Sequence, residues 1–497
     1  MRRLVSALSL LLCGTLVGAA GACHLLAGRE AQPGPWHGLR PRNELVADRA
    51  GAPADLAAYR RLEARLFAEV AAELGRRVER FPAFSRFDPA SPTHPSRFDR
   101  DWNLTWERRP AGPVRGEALL LHGLSDAPYS LRAVGELLAG EGFHVVGLRL
   151  PGHGAVPGGL AAASREDWRA AVRLGVAATG GRPAAGRPFV IVGYSNGAAL
   201  ALDYALAAIQ DGGGRVPDRL IFLSPALAVT PAAAFARWPQ RASRLPGLGA
   251  LAWESIEEEF DPFKFNSFPI HAAAEIHELT EEIEERLVSL EAEPGGALPP
   301  LLTLQSVVDA TVPPVASLTR VYGRVRRSRD ESGLVLFDAN RGAGIGALLV
   351  PEADELLELA SPDRRFAFRV TLITNAATGT QVEAVTRPAG SLRTTRTPLG
   401  LAWPEGVYSL SHVAVPFPPD DPAYGVGTSP AGLPFPFGDL EIKGERGVFR
   451  IPDRLLTRLR YNPFYAVVEG EIRDFLGLAA GAGGAPGPDF AAPGEER

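Results

Sequence analysis

Short apolar runs alternate with amphipathic stretches through most of the chain. Each apolar run has the length of one strand, and the stretches between them repeat apolar residues at helical spacing. Continuous apolar strands separated by helices are typical of a parallel sheet that helices cover on both faces. We therefore predict an α/β fold with a mostly parallel central sheet. The predicted strands are 103–107, 118–121, 145–148, 189–192, 220–223, 301–304 and 334–337, and helices are predicted near 130–139 and 167–178.

Two long stretches interrupt this alternation. Residues 225–300 contain helical patterns, and their place in the chain predicts a helical cap over the carboxyl ends of the strands. Residues 341–408 contain two strand-like runs, 366–373 and 381–386, which predict an antiparallel β insertion after the last parallel strand. The cap region also holds an aromatic cluster, which indicates either a pocket for an apolar substrate or plain core packing. Its members are Phe260, Phe263, Phe265 and Phe268.

The segments around this alternating region have other compositions. Residues 23–53 are rich in Pro, Gly and Arg and are predicted to be a linker. Residues 54–102 form a predicted N-terminal extension, in which 54–80 has the apolar spacing of an amphipathic helix that packs on the body. One large domain is expected at 103–478. The Gly-, Ala- and Pro-rich residues 479–497 are predicted to be a disordered tail.

The first 22 residues have the pattern of an export signal. Two arginines precede an apolar run, and small residues lead to Cys23. Three outcomes stay open: lipidation of Cys23 as in a bacterial lipoprotein, cleavage after Ala22 with release, or an uncleaved membrane anchor. We expect an exported protein of the cell envelope, attached to the membrane through this N-terminal anchor or lipid.

Charge and cysteine content narrow the functional classes. The formal net charge is −5, which argues against a nucleic-acid partner because such proteins usually carry a basic patch. The two cysteines, Cys13 and Cys23, both lie in or beside the predicted signal. The body of the chain therefore has no disulfide and no cysteine ligands for a metal, and we expect no metal site.

Residues 189–202 carry the main chemical signal of the chain. An apolar run leads into Gly193-Tyr194-Ser195-Asn196-Gly197, and a helix-forming run follows at once. This strand, sharp turn and helix pattern is typical of a nucleophile elbow, in which backbone strain at the serine lifts its hydroxyl out of the sheet. We therefore predict that Ser195 is a catalytic nucleophile.

A serine nucleophile needs a base and an acid that orients the base. In enzymes with such an elbow, the acid and then the histidine follow the serine along the chain. Of nine histidines, His412 alone lies beyond the last predicted parallel strand, and we predict it to be the base. Asp309 follows the strand at 301–304 and is the predicted acid. Asp338, which follows the strand at 334–337, is the rival for that role.

An acyl-transfer site also needs two N–H donors for the oxyanion. The first is expected from the backbone of Asn196, directly after the nucleophile. The second is expected from the backbone of Leu124, in the turn that follows the strand at 118–121. His122 opens that turn, and we interpret it as a residue that shapes the turn, not as a base.

The combined motifs resemble an α/β-hydrolase-fold serine hydrolase, most similar to the monoacylglycerol lipase and serine aminopeptidase-like group. The resemblance covers about residues 119–315, and the family's Pro-Gly-His-Gly turn, which contains His153 here, is structural. Two departures are visible: the interval from Asp309 to His412 is unusually long, and Asn196 replaces the Met, Gln or Gly often found after the nucleophile. The matching motifs are His122-Gly123-Leu124-Ser125-Asp126, Leu150-Pro151-Gly152-His153-Gly154, Gly193-Tyr194-Ser195-Asn196-Gly197 and Val308-Asp309-Ala310-Thr311-Val312-Pro313.

The resemblance implies hydrolysis of ester, thioester or amide bonds through an acyl-enzyme, without a cofactor. We expect a carboxylic ester hydrolase that acts on a small-molecule or lipid ester. One alternative is an aminopeptidase-like amide hydrolase, in which the acidic run 254–261 could bind a free amine. The other is a non-catalytic binding protein of the envelope, because a fold alone does not give a function.

Overall fold

A computed structural model describes most of the chain between residues 32 and 478. The predicted signal at 1–22, the first part of the predicted linker (residues 23–31, with Cys23) and the predicted tail at 479–497 lie outside the described residues. None of the helices in the described part combines the length and apolar character of a membrane-crossing helix. The described residues are 32–47, 49–179, 186–228, 243, 249–293, 296–324, 332–345, 349, 356–358, 364–377, 379–426, 443–446 and 456–478.

Ten of the twelve described strands form one large sheet. Its order is β1-β3-β2-β4-β5-β8-β9-β10-β11-β12, and the seven strands from β3 to β10 in this order run parallel. β1, β11 and β12 are antiparallel to their neighbours, and β6 and β7 form a separate hairpin. The strands are β1 Trp106–Arg108, β2 Gly116–Leu121, β3 Phe143–Leu148, β4 Phe189–Tyr194, β5 Arg219–Leu223, β6 Trp253–Ser255, β7 Phe268–Pro269, β8 Leu301–Ser306, β9 Gly333–Phe337, β10 Arg369–Asn375, β11 Gln381–Arg387 and β12 Thr395–Ala402.

Helices cover both faces of the sheet. The helices are α1 Pro35–Gly38, α2 Leu56–Arg77, α3 Arg132–Gly140, α4 Pro157–Leu160, α5 Arg165–Thr179, α6 Asn196–Gln210, α7 Ile270–Ala292 and α8 Tyr465–Leu476. Alternate residues of β2 enter two separate apolar cores: Leu119 packs with α5, α6 and α7, whereas Leu120 packs with α3 and α8. This burial on both faces explains the uninterrupted apolar runs 118–121 in β2, 189–192 in β4 and 220–223 in β5. The predicted α/β fold class is confirmed.

Two details of the predicted strands are wrong. The predicted strand at 103–107 begins only at Trp106, because Asp101 holds the preceding residues in a turn: its carboxylate accepts hydrogen bonds from the backbone and side-chain N–H groups of Asn103. The parallel series also does not end at β9. β10 pairs with β9 in parallel and only then turns back into β11. The predicted insertion therefore contributes one parallel strand before its antiparallel part.

The region predicted as a cap contains elements of two kinds. Helix α7 packs along α6 and connects the parallel strands β5 and β8 as a crossover helix. The loop between β6 and β7 instead contacts the turn after β2, where Phe263 stacks on Tyr129 with ring centroids 4.1 Å apart. Phe263 and Phe265 are both buried, so these two aromatic residues serve core packing. Residues 229–242 and 244–248 lie outside the described part, and the covering role of this region stays a prediction.

The N-terminal helix packs on the body, as its apolar spacing predicts. In α2, Tyr59, Leu66 and Leu74 are buried. The hydroxyl of Tyr59 donates a hydrogen bond of 2.9 Å to the backbone carbonyl of Arg149. Glu63, on the same face, accepts a hydrogen bond from the Arg149 guanidinium at 3.0 Å. The helix thereby fixes the turn that follows β3.

Candidate active site

The segment around Ser195 forms a strained turn between β4 and α6. Ser195 has φ 53° and ψ −117°, a backbone conformation that L-residues rarely adopt. Its N–H donates to the carbonyl of Leu223 at 3.0 Å, and its carbonyl accepts from the N–H of Ala226 at 3.1 Å. These bonds tie the turn to the end of β5, which offsets the cost of the strain. The side chain is largely covered, with 7% of the residue exposed.

The turn depends on two glycines. A Cβ atom built on Gly197 would lie 1.9 Å from the carbonyl oxygen of Leu121, so helix α6 starts in direct contact with the end of β2. A Cβ atom on Gly193 would lie 2.4 Å from the backbone of Ala198. Any larger residue would push strand and helix apart. The glycine spacing in the sequence therefore reflects a real steric requirement.

The structure brings His412 and Asp309 together. Nδ1 of His412 lies 2.7 Å from Oδ2 of Asp309, and both side chains are buried. The other carboxylate oxygen of Asp309 accepts the N–H groups of Thr311 at 2.9 Å and Val312 at 3.0 Å. The acid is thus held by its own loop while it contacts the imidazole. Such an acid can fix the imidazole tautomer and stabilise its cation.

His412 lies beside the elbow. Its ring centroid is 5.4 Å from that of Tyr194, the residue directly before Ser195. Among the described residues, no hydrogen bond joins the Ser195 hydroxyl to His412. In enzymes without bound substrate, catalytic hydrogen bonds are often long and shorten only when the substrate binds. The ring contact with Tyr194 thus places His412 beside the Ser195 turn.

Asp338, the rival acid, has different partners. Its carboxylate accepts hydrogen bonds from Arg341 at 3.0 Å and from the Thr374 hydroxyl at 2.8 Å. It also accepts the N–H of Ala339. These contacts join β9 and β10 and do not involve His412. The structure thus favours Asp309 over Asp338 as the partner of the histidine.

The turn after β2 supplies candidate oxyanion donors. Within the described part of the chain, neither the N–H of Leu124 nor that of Asn196 donates a backbone hydrogen bond. Free N–H groups at a turn and at a helix start suit a developing negative charge. The next residue, Ser125, has φ 63°, and its carbonyl accepts the N–H of Phe265 at 2.8 Å. The loop between β6 and β7 therefore holds this turn in place.

An ion pair also joins the loop between β6 and β7 to the turn after β2. Nζ of Lys264 donates to Oδ1 of Asp126 at 2.9 Å. Burial raises the pKa of the Asp126 carboxyl, and the nearby Lys264 ammonium opposes this effect. Lys264 is one of only two lysines in a chain whose other basic residues are arginines. That rarity is a signal by which Lys264 could have been noticed in the sequence.

His122 and His153, which belong to two of the sequence motifs, pack against each other and against the backbone of their turns. Nε2 of His122 accepts the N–H of Leu150 at 3.0 Å, while Nδ1 lies 2.9 Å from the carbonyl of Gly123. His153 lies against His122, with ring centroids 4.9 Å apart. Burial lowers the pKa of both rings, for His153 to about 3. Both rings are therefore suited to shape the turns as neutral groups.

Part of the chain is similar to a known protein family. Residues 112–334 match the family model described as serine aminopeptidase, S33. The match covers 223 of the 497 residues, and over this segment the chain is similar to that hydrolase family. It contains Ser195, Asp309 and the turn of Leu124, whereas His412 lies beyond it. A comparison with curated protein sequences gives no match.

Solved structures similar to this chain include lipolytic enzymes. One comes from a report on LipS and LipT, two metagenome-derived lipolytic enzymes; it is 22% identical, covers 48% of this chain and 88% of that chain, and has a TM-score of 0.37. The monoacylglycerol lipase of Paleococcus ferrophilus is 22% identical, covers 47% and 88%, and has a TM-score of 0.35. A soluble variant of the monoglyceride lipase from Saccharomyces cerevisiae is 14% identical, covers 47% and 80%, and has a TM-score of 0.36.

Two carboxylates of the acidic run 254–261 already have hydrogen-bond partners within the protein. The Glu259 carboxylate accepts the N–H groups of Asn266 and Ser267, and Asp261 accepts hydrogen bonds from Tyr424 at 2.6 Å and Arg460 at 2.7 Å. No group of three or more His, Cys, Asp or Glu side chains in the described part could hold a metal ion.

Sequence reasoning missed two residues next to His412. The Glu445 carboxylate accepts the backbone N–H of His412 at 2.9 Å and the Nε–H of Arg458 at 2.7 Å. Both residues lie beyond the segment that the family model matches. Neither belongs to a motif, and only the folded chain brings them to the histidine.

Proposed function

We propose that this protein is a serine hydrolase that cleaves carboxylic esters through an acyl-enzyme. The observation that carries the proposal is the 2.7 Å contact between His412 and Asp309, placed beside a strained turn that presents Ser195. The family match of residues 112–334 supports a hydrolase in general. The roles of the individual residues and the choice of ester substrates are our inference from this geometry.

In the proposed reaction, Ser195 attacks the carbonyl carbon of the ester while His412 takes the hydroxyl proton. The negative charge on the carbonyl oxygen is stabilised by the N–H groups of Leu124 and Asn196. His412 then donates its proton to the leaving alcohol, and the acyl group stays on Ser195. Water, deprotonated by His412, attacks this ester; the bond from the acyl carbon to the Ser195 oxygen breaks, His412 returns the proton to that oxygen, and the acid is released. Asp309 holds the imidazole and stabilises its cation in both half-reactions.

An aminopeptidase-like activity is the second candidate, because the matching family model is described as a serine aminopeptidase. Recognition of a free amine would need an accessible carboxylate near the site. In the acidic run, the buried carboxylates of Glu259 and Asp261 already have partners, which favours the ester over the amide. Glu257 and Glu258 are exposed and remain available.

A substrate panel tests the proposal and its alternative. Wild type and Ser195→Ala are compared on p-nitrophenyl esters of increasing acyl length and on aminoacyl-naphthylamides. The proposal predicts ester turnover that the alanine variant lacks. Faster turnover of the naphthylamides would favour the aminopeptidase, and equal ester turnover by both proteins would contradict a serine mechanism.

We further propose that the protein is exported and tethered to the membrane of the cell envelope through lipid on Cys23. The support is the signal-like sequence of residues 1–22 alone. Mass spectrometry of the mature N-terminus tests this proposal, with Cys23→Ala as the control. A diacylglycerol-modified Cys23 is the expected result, and an unmodified Cys23 or an intact Met1 would contradict it.

A further inference from the structure

A short segment, 443–446, is placed directly behind His412. Its backbone pairs with two other parts of the chain: the N–H of Lys443 donates to the carbonyl of Gly406 at 2.9 Å, and the N–H of Gly444 donates to that of Thr457 at 2.9 Å. The N–H of Glu445 donates to the Ser409 hydroxyl at 2.9 Å. The segment is therefore anchored on both sides, and Glu445 has a defined position.

The Glu445 carboxylate is fully buried but not isolated. Its Oε2 accepts the N–H of His412, and its Oε1 accepts Nε–H of Arg458 and the N–H of Arg446 at 3.0 Å. A buried carboxylate without a cation would be costly, and Arg458 supplies that cation. A hydrogen bond to an ionised acceptor is also stronger than one between neutral groups.

Arg458 closes a ring of contacts around the proposed base. Its Nη2 donates to the Thr311 hydroxyl at 3.0 Å. Thr311 in turn donates its N–H to Asp309, which contacts the imidazole of His412. The ring therefore holds His412 by two routes: Asp309 contacts the imidazole, and Glu445 contacts the backbone N–H.

We propose that Glu445, together with Arg458, is a positioning residue that fixes the backbone of His412 and adds a second negative charge behind the base. This inference rests on the proposed function. Glu445 contacts the backbone N–H of His412, while Asp309 contacts the imidazole, so Glu445 acts through His412. When His412 takes the proton from Ser195, its positive charge is stabilised by Glu445 as well as by Asp309.

Glu445 is one of several charged groups near His412 that can stabilise or destabilise a positive charge on its imidazole. Asp309 lies at the imidazole. Burial raises the pKa of the Glu445 and Asp126 carboxyls, and a positive charge on nearby His412 acts against this rise at both. Lys264 partly neutralises Asp126, and Arg458 partly neutralises Glu445. A negative neighbour favours the protonated imidazole and a positive neighbour disfavours it. The direction in which the pH profile of activity shifts can therefore be predicted for the removal of each charge.

The test measures kcat/KM against pH on a p-nitrophenyl ester for wild type, Glu445→Gln and Arg458→Gln. Glutamine can still accept the N–H of His412 but carries no charge. E445Q is expected to shift the acid limb of the profile down by roughly half a pH unit. Its kcat is expected to fall about fivefold with little change in KM. R458Q leaves Glu445 without its cation and is expected to shift the acid limb upward.

Glu63→Gln is the matched control. Glu63 is also buried, also pairs with an arginine, Arg149, and also accepts a backbone N–H, that of Thr105. It has no contact with His412. E63Q is therefore expected to lower thermal stability without moving the pH profile. A merely structural role of Glu445 would make E445Q behave in the same way as E63Q.

Each outcome decides the inference. Opposite shifts in E445Q and R458Q with an unchanged E63Q profile support it. A folded E445Q with the wild-type profile and kcat overturns it, and if E445Q does not fold, an unchanged R458Q profile overturns it. Wild-type activity that survives Ser195→Ala refutes the proposed function itself, and this inference falls with it.

Discussion

Nδ1 of His412 lies 2.7 Å from Oδ2 of Asp309, although 103 positions separate the two residues. The intervening chain forms β9 to β12 and then returns along the sheet to a short helix at His412–Ala414. The long interval thus widens the sheet by additional strands, and the return places the histidine at the end of β8. The same geometry leaves Asp338 bound to Arg341 and Thr374.

The two candidate acids give a direct comparison. Asp309→Asn keeps the shape of the side chain but favours the wrong imidazole tautomer, and kcat is expected to fall by about 10³–10⁴. Asp338→Asn is expected to change kcat less than about twofold and to lower stability by roughly 1 kcal/mol. Steady-state kinetics on one ester, together with urea unfolding, checks both. Equal losses of kcat would remove Asp309 from the site.

The close contact between α6 and β2 makes Gly197 irreplaceable. In Gly197→Ala the new methyl group would overlap the Leu121 carbonyl, and we expect a loss of about 3 kcal/mol or more together with lower activity. Gly75→Ala, inside helix α2 with open space around it, is the control and should gain about 0.5–1 kcal/mol. Urea unfolding measures both changes. A G197A protein as stable as wild type would contradict this packing.

Glu259 makes stability depend on pH. Burial raises its pKa from 4.5 to about 7, against the opposing effect of the N–H groups of Asn266 and Ser267. Because the folded-state pKa is raised, the stability it contributes is fully present below about pH 4.5 and is lost as pH rises through 7. The unfolding free energy of wild type relative to Glu259→Gln should therefore fall by roughly 3 kcal/mol across this window.

Urea titrations of wild type and E259Q at several pH values between 4 and 8 measure this difference. Other groups titrate equally in both proteins and cancel. Glutamine keeps only one of the two oxygens that accept N–H groups. The lost hydrogen bond lowers the unfolding free energy of E259Q by an amount that does not depend on pH. A constant difference across the range would show that Glu259 titrates normally.

The Lys264–Asp126 pair is expected to be coupled. Lys264→Met leaves a buried carboxylate without its cation, which should cost about 2–4 kcal/mol. Adding Asp126→Asn removes that unpaired charge, so the double variant should be more stable than K264M alone. A double-mutant cycle in urea measures the coupling. Strict additivity would mean that the pair does not hold the turn at Leu124.

Much of the central sheet was predictable from the sequence. β2, β4 and β5 contain continuous apolar runs because both of their faces are buried, and this pattern is visible in the sequence alone. The elbow was equally visible, because Gly193 and Gly197 are required by close backbone contacts. These features are local, and local constraints leave local sequence patterns.

Features that depend on distant contacts were not predictable. The parallel pairing of β10 with β9 depends on the partner strand, which the sequence of β10 does not specify. The turn at Asn103 is fixed by Asp101 and by a hydrogen bond to the carbonyl of Pro262. Glu445 has no motif around it, and its relation to His412 exists only because segment 443–446 pairs with residues near Gly406 and Thr457.

The central claim is that Ser195 is a nucleophile activated by His412. Labelling with a fluorophosphonate probe, followed by peptide mapping, tests it most directly, with His412→Ala and Ser195→Ala alongside. The account predicts a single adduct on Ser195 in wild type, much slower labelling in H412A and none in S195A. An adduct on another residue, or a folded wild-type protein that takes up no probe, would contradict it.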